Sequence, residues 1–171
     1  MRKLAISLIT ICIVLYSTVC SAQESKSTKI PVTMEDISSA IGEWTGTLTY
    51  MNYSDGTPFS MPAKATISIG KNSNELDLYY VYPNEPHANS SGKLRITKNG
   101  HQFNGHKVVS KSIMPDGQLQ IVTEHNGKDN KQKATINNIY TLSVNQLIIS
   151  KKVTYKKSGE TIIRNEYRFE R

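Results

Sequence analysis

The stretch GEWTGTLTY, residues 42–50, alternates between two kinds of residue. Trp44, Leu48 and Tyr50 occupy even positions, whereas positions 45, 47 and 49 are all threonine. Successive side chains of a β-strand point to opposite faces of the sheet. This alternation therefore predicts a strand that buries one face and exposes the other.

The same period of two recurs along the rest of the chain. Alternating runs rich in Ile, Val, Thr, Leu and Tyr lie at 63–69, 76–82, 94–96, 119–123, 134–142, 147–155 and 162–169. Pairs typical of tight turns separate many of them, at 99–100, 116–117, 126–127, 144–145 and 158–159. The pattern predicts an all-β fold of eight to ten strands. A meander of that length closes into an antiparallel up-and-down barrel more readily than it leaves two free edges.

A short helix is predicted just before the first strand, over residues 33–41. Met34, Ile37 and Ala40 recur at helical spacing, and Thr33 can cap the first turn. Asp36 is favourably placed near the positive end of the helix. A helix this short must pack on something, and we expect it to close one end of the barrel.

The first 22 residues have the pattern of a cleavable signal peptide. Arg2 and Lys3 precede an apolar run at 4–19, and small residues at 20 and 22 suit a cleavage site. The run is shorter than the roughly 20 residues that span a bilayer. We therefore expect an exported protein, periplasmic or secreted. Lipid attachment at Cys20 is the less favoured alternative, because bulky Val19 precedes it.

Cleavage after residue 22 would leave a polar flexible leader at 23–31 and a barrel domain at 32–171. The mature chain would then have no cysteine, which excludes thiol catalysis and thiolate metal sites. It would also have no transmembrane segment. Its net charge would fall from +7 to +5, with the basic residues spread along the chain. A nucleic-acid partner is not expected, because such proteins concentrate basic charge.

Residues 42–46, GEWTG, resemble the opening motif of the lipocalins and the wider calycin barrels, in which Gly-x-Trp starts the first strand. In those families an arginine near the last strand packs across the tryptophan. The resemblance implies that Gly42, Trp44 and Arg168 close the barrel, with Arg164 and Arg171 as alternatives to Arg168. It also implies that the barrel binds a small apolar or amphipathic molecule, although fold alone does not determine function.

The Gly-x-Trp-x-Gly form is also similar to the haem-binding nitrobindins. That family holds the iron with a histidine on a late strand. The last histidine of this chain is His125, which is followed by the turn signal at 126–127. Haem is therefore not expected, and neither is another cofactor.

Tyrosines on the apolar faces of the predicted strands are the candidate ligand-binding residues, namely Tyr50, Tyr80, Tyr82 and Tyr140. A tyrosine inside a barrel offers an apolar wall with a hydroxyl that needs a partner, which suits an amphipathic ligand. The loop at 83–91 is a candidate lid. Alternatively these rings fill the core, and the protein is a packed, non-catalytic module that contacts an envelope or host macromolecule.

The sequence assigns no catalytic residue and no metal ligand. Surface positions account for the four histidines, His87, His101, His106 and His125. Asp55, Asp116 and Asp129 are interpreted as turn residues. A third hypothesis is an enzyme at the barrel mouth, which would require His87 or His125 to lie beside Glu124 at one end of the barrel. Glu166 is the other carboxylate that this hypothesis considers.

Overall fold

The computed structural model describes residues 31–171. The predicted signal peptide at 1–22, and all of the predicted leader except residue 31, lie outside the described residues. One α-helix precedes ten β-strands, with these bounds: α1 Met34–Ser38, β1 Gly42–Met51, β2 Pro58–Ile69, β3 Glu75–Val81, β4 Ser90–Thr97, β5 Gln102–Phe103, β6 His106–Ile113, β7 Leu119–Asp129, β8 Gln132–Leu142, β9 Gln146–Tyr155 and β10 Thr161–Glu170. Within residues 31–171, no helix has the length and apolar character to cross a membrane.

The ten strands form one closed antiparallel barrel. Each strand pairs with its neighbours in the sequence, and β1 pairs with β10 to complete the circle. The register along β1 places Trp44 beside Ala65 of β2, and Gly46 between Ala63 of β2 and Phe169 of β10. The predicted fold class is confirmed, with ten strands in up-and-down order and one short helix near the N-terminus.

The predicted helix forms but is shorter than expected. Thr33 is the N-cap of α1, and its hydroxyl accepts a hydrogen bond from the Asp36 amide while the Asp36 carboxylate accepts one from the Thr33 amide. After Ser38, the amides of Ala40 and Ile41 bond to carbonyls three residues back. This tighter turn ends the helix and leads into β1.

The helix covers one end of the barrel, which we call the helix end. Ile37 is fully buried in the same apolar cluster as Trp44, and the Trp44 indole donates to the Ala40 carbonyl at 2.7 Å. Lys111 of β6 reaches Asp36 of the helix in an ion pair of 2.6 Å. The opposite end, which we call the far end, carries the β1–β2, β3–β4, β7–β8 and β9–β10 connections.

The turn predicted at 126–127 is wrong. Strand β7 continues through Gly127 to Asp129, and the hairpin turns at Asn130 and Lys131, both of which have positive φ. Gly127 serves packing instead: a side-chain carbon there would lie 3.0 Å from the end of Ile136 on β8. The longer strand carries residues 125–129 into the barrel wall.

The barrel interior contains two apolar clusters. The larger one surrounds Trp44, Phe103 and Phe169 at the helix end. The smaller one lies near the far end and consists of Ala134, Ile136, Val153, Tyr155 and the partly buried Ile162. Inward-facing polar residues separate the two clusters along β7, β8 and β9. This polar layer is the starting point for the candidate site.

Candidate functional site

Inward-facing side chains differ in exposure between the two ends of the barrel. At the helix end they are buried, as Trp44 and Leu76 show. From the middle of the barrel to the far end, inward-facing residues of seven strands keep partial exposure: Leu48, Tyr50, Tyr80, His106, His125, Asn138, Ile149, Lys151, Asn165 and Tyr167. An inward-facing side chain remains exposed only where water-sized space adjoins it. We call the part of the barrel interior that these residues line the chamber.

One side of the chamber is aromatic. Tyr80 and Tyr167 stack with their ring centroids 4.6 Å apart, and Phe169 lies 5.6 Å from Tyr167. The hydroxyls of Tyr82, the residue after β3, and Tyr167 of β10 share a hydrogen bond of 2.6 Å. Burial raises the pKa of Tyr80 and that of Tyr167, with the Tyr82 hydrogen bond adding to the effect at Tyr167. These phenols are therefore neutral at physiological pH.

The four predicted ligand-binding tyrosines do not form a single group. Tyr80 and Tyr82 belong to the aromatic side of the chamber, and Tyr50 lies at its edge with its ring 5.4 Å from Phe59. Tyr140 is instead part of the helix-end core. Its ring meets Phe103 edge-on, and its hydroxyl accepts a hydrogen bond from Asn104.

The opposite side of the chamber is polar, with Thr123, His125, Asn138 and Lys151 on three neighbouring strands. The register pairs Thr123 with Asn138, and Asn138 with Lys151. Thr123 is fully buried, and its hydroxyl accepts a hydrogen bond of 3.4 Å from the Asn138 amide. A polar group inside a barrel is stable only when it is hydrogen-bonded or solvated, so this side is suited to a polar occupant.

Two histidines stack on this polar side. The His106 and His125 rings lie 3.8 Å apart and are tilted by only 9°. Burial lowers the pKa of His125, and the nearby His106 and Lys151 lower it further, so the imidazole is neutral at physiological pH. Its Nδ1 atom is buried and has no hydrogen-bond partner among the described residues. A neutral imidazole with a spare ring nitrogen can donate to or accept from a ligand.

A buried carboxylate, Asp129, closes the polar side at the far end. It accepts hydrogen bonds from the Tyr53 hydroxyl at 2.7 Å and the Tyr155 hydroxyl at 2.8 Å, one on each oxygen. Burial acts to raise the pKa of Asp129, but the two phenols and the charges of Lys151 and Arg164 outweigh it, and the net shift is downward. Burial and the bond to Asp129 raise the pKa of Tyr155 to about 12.

Arg164 reaches this carboxylate from a β-bulge in β10. Its Nε lies 3.9 Å from Asp129 Oδ1, and its guanidinium lies 3.4 Å above the centre of the Tyr53 ring. One terminal nitrogen, Nη1, is buried and finds no hydrogen-bond partner in the part of the chain that the structure describes. The guanidinium is therefore held by its surroundings while one of its donors remains unused.

The arginine that covers Trp44 is not the predicted Arg168. Arg171 lies over the indole, 4.2 Å from its centroid, whereas Arg168 points outward and pairs with Glu166. Strand alternation explains the difference: Phe169 is buried inside the barrel, so Arg168 next to it must face out. Gly42 fits the predicted closure, because a side-chain carbon there would lie 2.7 Å from Arg171 Nη1.

The groups required by the barrel-mouth enzyme hypothesis do not come together. His125 faces inward, whereas Glu124 is exposed on the outer face and accepts a hydrogen bond from Asn137. His87 is exposed in a short 3-10 turn, Pro86–Ala88. Glu166 lies on the outer face of β10 and accepts from Ser150. Within residues 31–171, no three His, Asp or Glu side chains are grouped as a metal site requires.

Lys151 and Arg164 were not predicted from the sequence as part of this site, and three further residues were assigned to other positions. His106 and His125 were interpreted as surface histidines, and Asp129 as a turn residue. One signal was present: residues 121, 123, 125, 127 and 129 share the face that the buried Ile121 defines. The alternation places all of them inside if the strand is extended beyond 123.

Comparisons with known proteins support the fold but no particular family or function. No protein-family model matches the chain, and no curated protein matches it. Among solved structures, the crystal structure of Rv2717c from M. tuberculosis is similar, with a TM-score of 0.52. The match covers 80% of this chain and 95% of Rv2717c at 11% sequence identity. The resemblance to lipocalins and calycins therefore stays a prediction.

Proposed function

We propose that this protein is an exported, lipocalin-like carrier that binds a small amphipathic molecule in the chamber. The observation behind the proposal is the division of the partly exposed interior. Stacked tyrosines form one side, and the other side contains His125 with its unpartnered Nδ1 atom. Ligand pockets commonly combine apolar and aromatic walls with a few polar groups that fix orientation.

The same arrangement argues against a role in which the barrel interior is only packing. A packed core leaves few polar atoms without partners, because an unpaired buried polar group costs about 1–3 kcal/mol. Here Lys151, Asn138 and Asn165 face inward at mid-barrel and stay partly exposed. An amphipathic ligand would cover the rings and supply partners for the polar atoms.

Blocking the chamber tests this function. Ile149 faces inward between Tyr140 and Tyr167, whereas Ile148 beside it faces outward next to Arg168. We expect Ile149→Phe to fill part of the chamber and to abolish the binding of N-phenyl-1-naphthylamine, a neutral probe that fluoresces in apolar sites. Ile148→Phe makes the same change one residue away and should leave probe binding unchanged.

Native mass spectrometry of the wild-type protein, purified gently from the cells that produce it, provides the second test. A mass excess that disappears on denaturation, and that Ile149→Phe lacks, would support a resident ligand. If the wild-type protein binds no probe and carries no excess mass, or if both phenylalanine variants bind like the wild type, the proposed function is wrong.

A further inference from the structure

We propose that the ligand of the chamber carries a single negative charge, of the carboxylate or sulfonate type, and that Arg164 and Lys151 bind it. This inference rests on the proposed function and specifies the chemistry of its ligand. It follows from three observations at the far end of the polar side: a charge imbalance, an unmet hydrogen-bond donor and the geometry of the two cationic side chains.

The charges at this position do not balance. Asp129 is one carboxylate, with only 3% of its side chain exposed, and two cationic side chains approach it. Lys151 Nζ lies 3.6 Å and Arg164 Nε 3.9 Å from the same oxygen, Oδ1. Tyr53 and Tyr155 are phenols that donate to Asp129 and add no charge. Asp129, Lys151 and Arg164 together therefore carry an excess of one positive charge, and the Arg164 side chain is only 14% exposed.

The hydrogen-bond donors of this group also lack acceptors. Each Asp129 oxygen already accepts from a tyrosine hydroxyl at 2.7–2.8 Å, and both cations stay beyond hydrogen-bond distance of the carboxylate. Arg164 Nη1 has no partner among the described residues. Asp129 thus acts as an electrostatic anchor for the two cations without using their N–H donors. The donors of Arg164 Nη1 remain available for a second anion.

The geometry favours a planar or compact oxyanion. The Arg164 guanidinium carbon lies 3.4 Å from the centre of the Tyr53 ring, and this contact restricts where the guanidinium can lie. A guanidinium presents paired donors that match the two oxygens of a carboxylate or sulfonate. Lys151 pairs in register with Asn165, the residue after Arg164, and adds a second cation on the adjacent strand. The apolar remainder of the ligand would then lie toward Tyr80 and Tyr167.

Two matched fluorescent probes test the inference. 8-Anilino-1-naphthalenesulfonate carries a sulfonate, and N-phenyl-1-naphthylamine has the same rings without it. We expect the wild-type protein to bind the sulfonate at least about tenfold more tightly, as a charge-assisted hydrogen bond would give. We expect Arg164→Gln to remove this preference by weakening only the sulfonate, and Arg164→Lys to retain part of it. Arg168→Gln, on the outer face of the same strand, is the control.

The outcomes separate this inference from the proposed function. If the neutral probe binds as tightly as the sulfonate to the wild-type protein, the chamber is a binding site without an anion subsite, and the inference is overturned. The inference also fails if Arg164→Gln weakens both probes equally. If neither probe binds and native mass spectrometry shows no excess mass, the proposed function itself fails. If Arg164→Gln does not fold, Lys151→Gln is used in its place, with the same expected loss of preference.

Discussion

Arg171 stabilises the helix end through one side chain that contacts three segments. Its guanidinium covers Trp44 and donates to the carbonyls of Ser39, Ile41 and Val144. It thereby joins the helix–β1 connection to the β8–β9 turn. Each contact contributes little free energy at a surface position. All of them, however, depend on one guanidinium with its five N–H donors.

Replacing Arg171 should therefore destabilise the barrel more than replacing Arg168. We expect Arg171→Ala to lower the free energy of unfolding by about 1–3 kcal/mol, from the lost cation–π contact and the unpaired carbonyls. Arg168→Ala removes only a surface ion pair and should cost less than about 1 kcal/mol. Urea denaturation of the two variants measures the difference. Equal losses would show that Arg171 does not act as the closure residue.

Glu75 makes the stability of the barrel depend on pH. Its carboxylate is buried and pairs with Lys93 and Arg95 at 2.7 Å, and these contacts lower its pKa from 4.5 to about 2. Because the folded-state pKa is the lower one, the stabilisation is present above pH 4.5 and is lost as the pH falls toward 2.

We accordingly expect the melting temperature to decrease between pH 4.5 and pH 2 in the wild-type protein, and to decrease less steeply in Glu75→Gln. Glu43→Gln changes an exposed carboxylate of β1 and should retain the wild-type slope. Thermal unfolding followed by circular dichroism across this pH range measures both. Identical slopes for the wild type and Glu75→Gln would contradict the assignment.

For individual residues, the sequence predicted buried apolar positions better than polar ones. Trp44 was placed correctly because alternation and position both identify it. Asp129 was missed because Asn-Gly at 126–127 is a strong turn signal, and here Gly127 provides space for Ile136 instead. Which arginine meets Trp44 depends on where the chain lies after β10. Strand alternation excludes Arg168 but does not by itself select Arg171.

Among the elements, β1 and β10 carry the closure of the barrel, and Gly46 sets their separation. A side-chain carbon at Gly46 would lie 1.9 Å from the Arg168 carbonyl oxygen, so this pairing tolerates only glycine. The position is midway along β1, between Ala63 and Phe169. The small residue thus lets two strands meet that are more than a hundred positions apart in the sequence.

The variant Gly46→Ala should therefore open or distort the β1–β10 seam. We expect a loss of roughly 3 kcal/mol or more, since the clash is with backbone and cannot be relieved by a rotamer change. Thr47→Ala, the next residue along and exposed, should change stability by less than about 1 kcal/mol. Chemical denaturation compares the two. A Gly46→Ala protein as stable as Thr47→Ala would show that the seam adjusts.

Strands were predictable as elements because each buries one face, and the turns at 99–100 and 116–117 follow from their residue types. The bulge that contains Arg164 is harder to recognise from the sequence. Ile162 is inward at an even position, whereas Tyr167 and Phe169 are inward at odd ones. Such a change of parity within one strand indicates an extra residue. The sequence marks that a bulge exists between 162 and 167, but not that Arg164 turns toward Asp129.

Closure of the barrel could be predicted from the number of strands, whereas the chamber could not be predicted from the sequence. Its aromatic side depends on Tyr82 and Tyr167, which are 85 residues apart and share a hydrogen bond. Its polar side depends on a register that brings Thr123, Asn138 and Lys151 together across three strands. Alternation shows that these residues face inward. It does not show which of them face each other across the barrel, because that depends on strand tilt and register.

Export is the last prediction, and it concerns the chain as a whole. Val32 already belongs to the barrel, since its amide bonds to the Gly100 carbonyl and its side chain is buried in the helix-end core. Removal of residues 1–22 would therefore leave every described contact intact. We expect the chain, expressed in a secreting bacterial host, to leave the cytoplasm with an intact mass that corresponds to residues 23–171. Ala22→Leu places a large residue at the cleavage position and should retain the uncleaved mass. A mature chain that begins at Cys20 with an added lipid mass would instead identify a lipoprotein, and an uncleaved wild-type chain in the cytoplasm would show that the signal-peptide prediction is wrong.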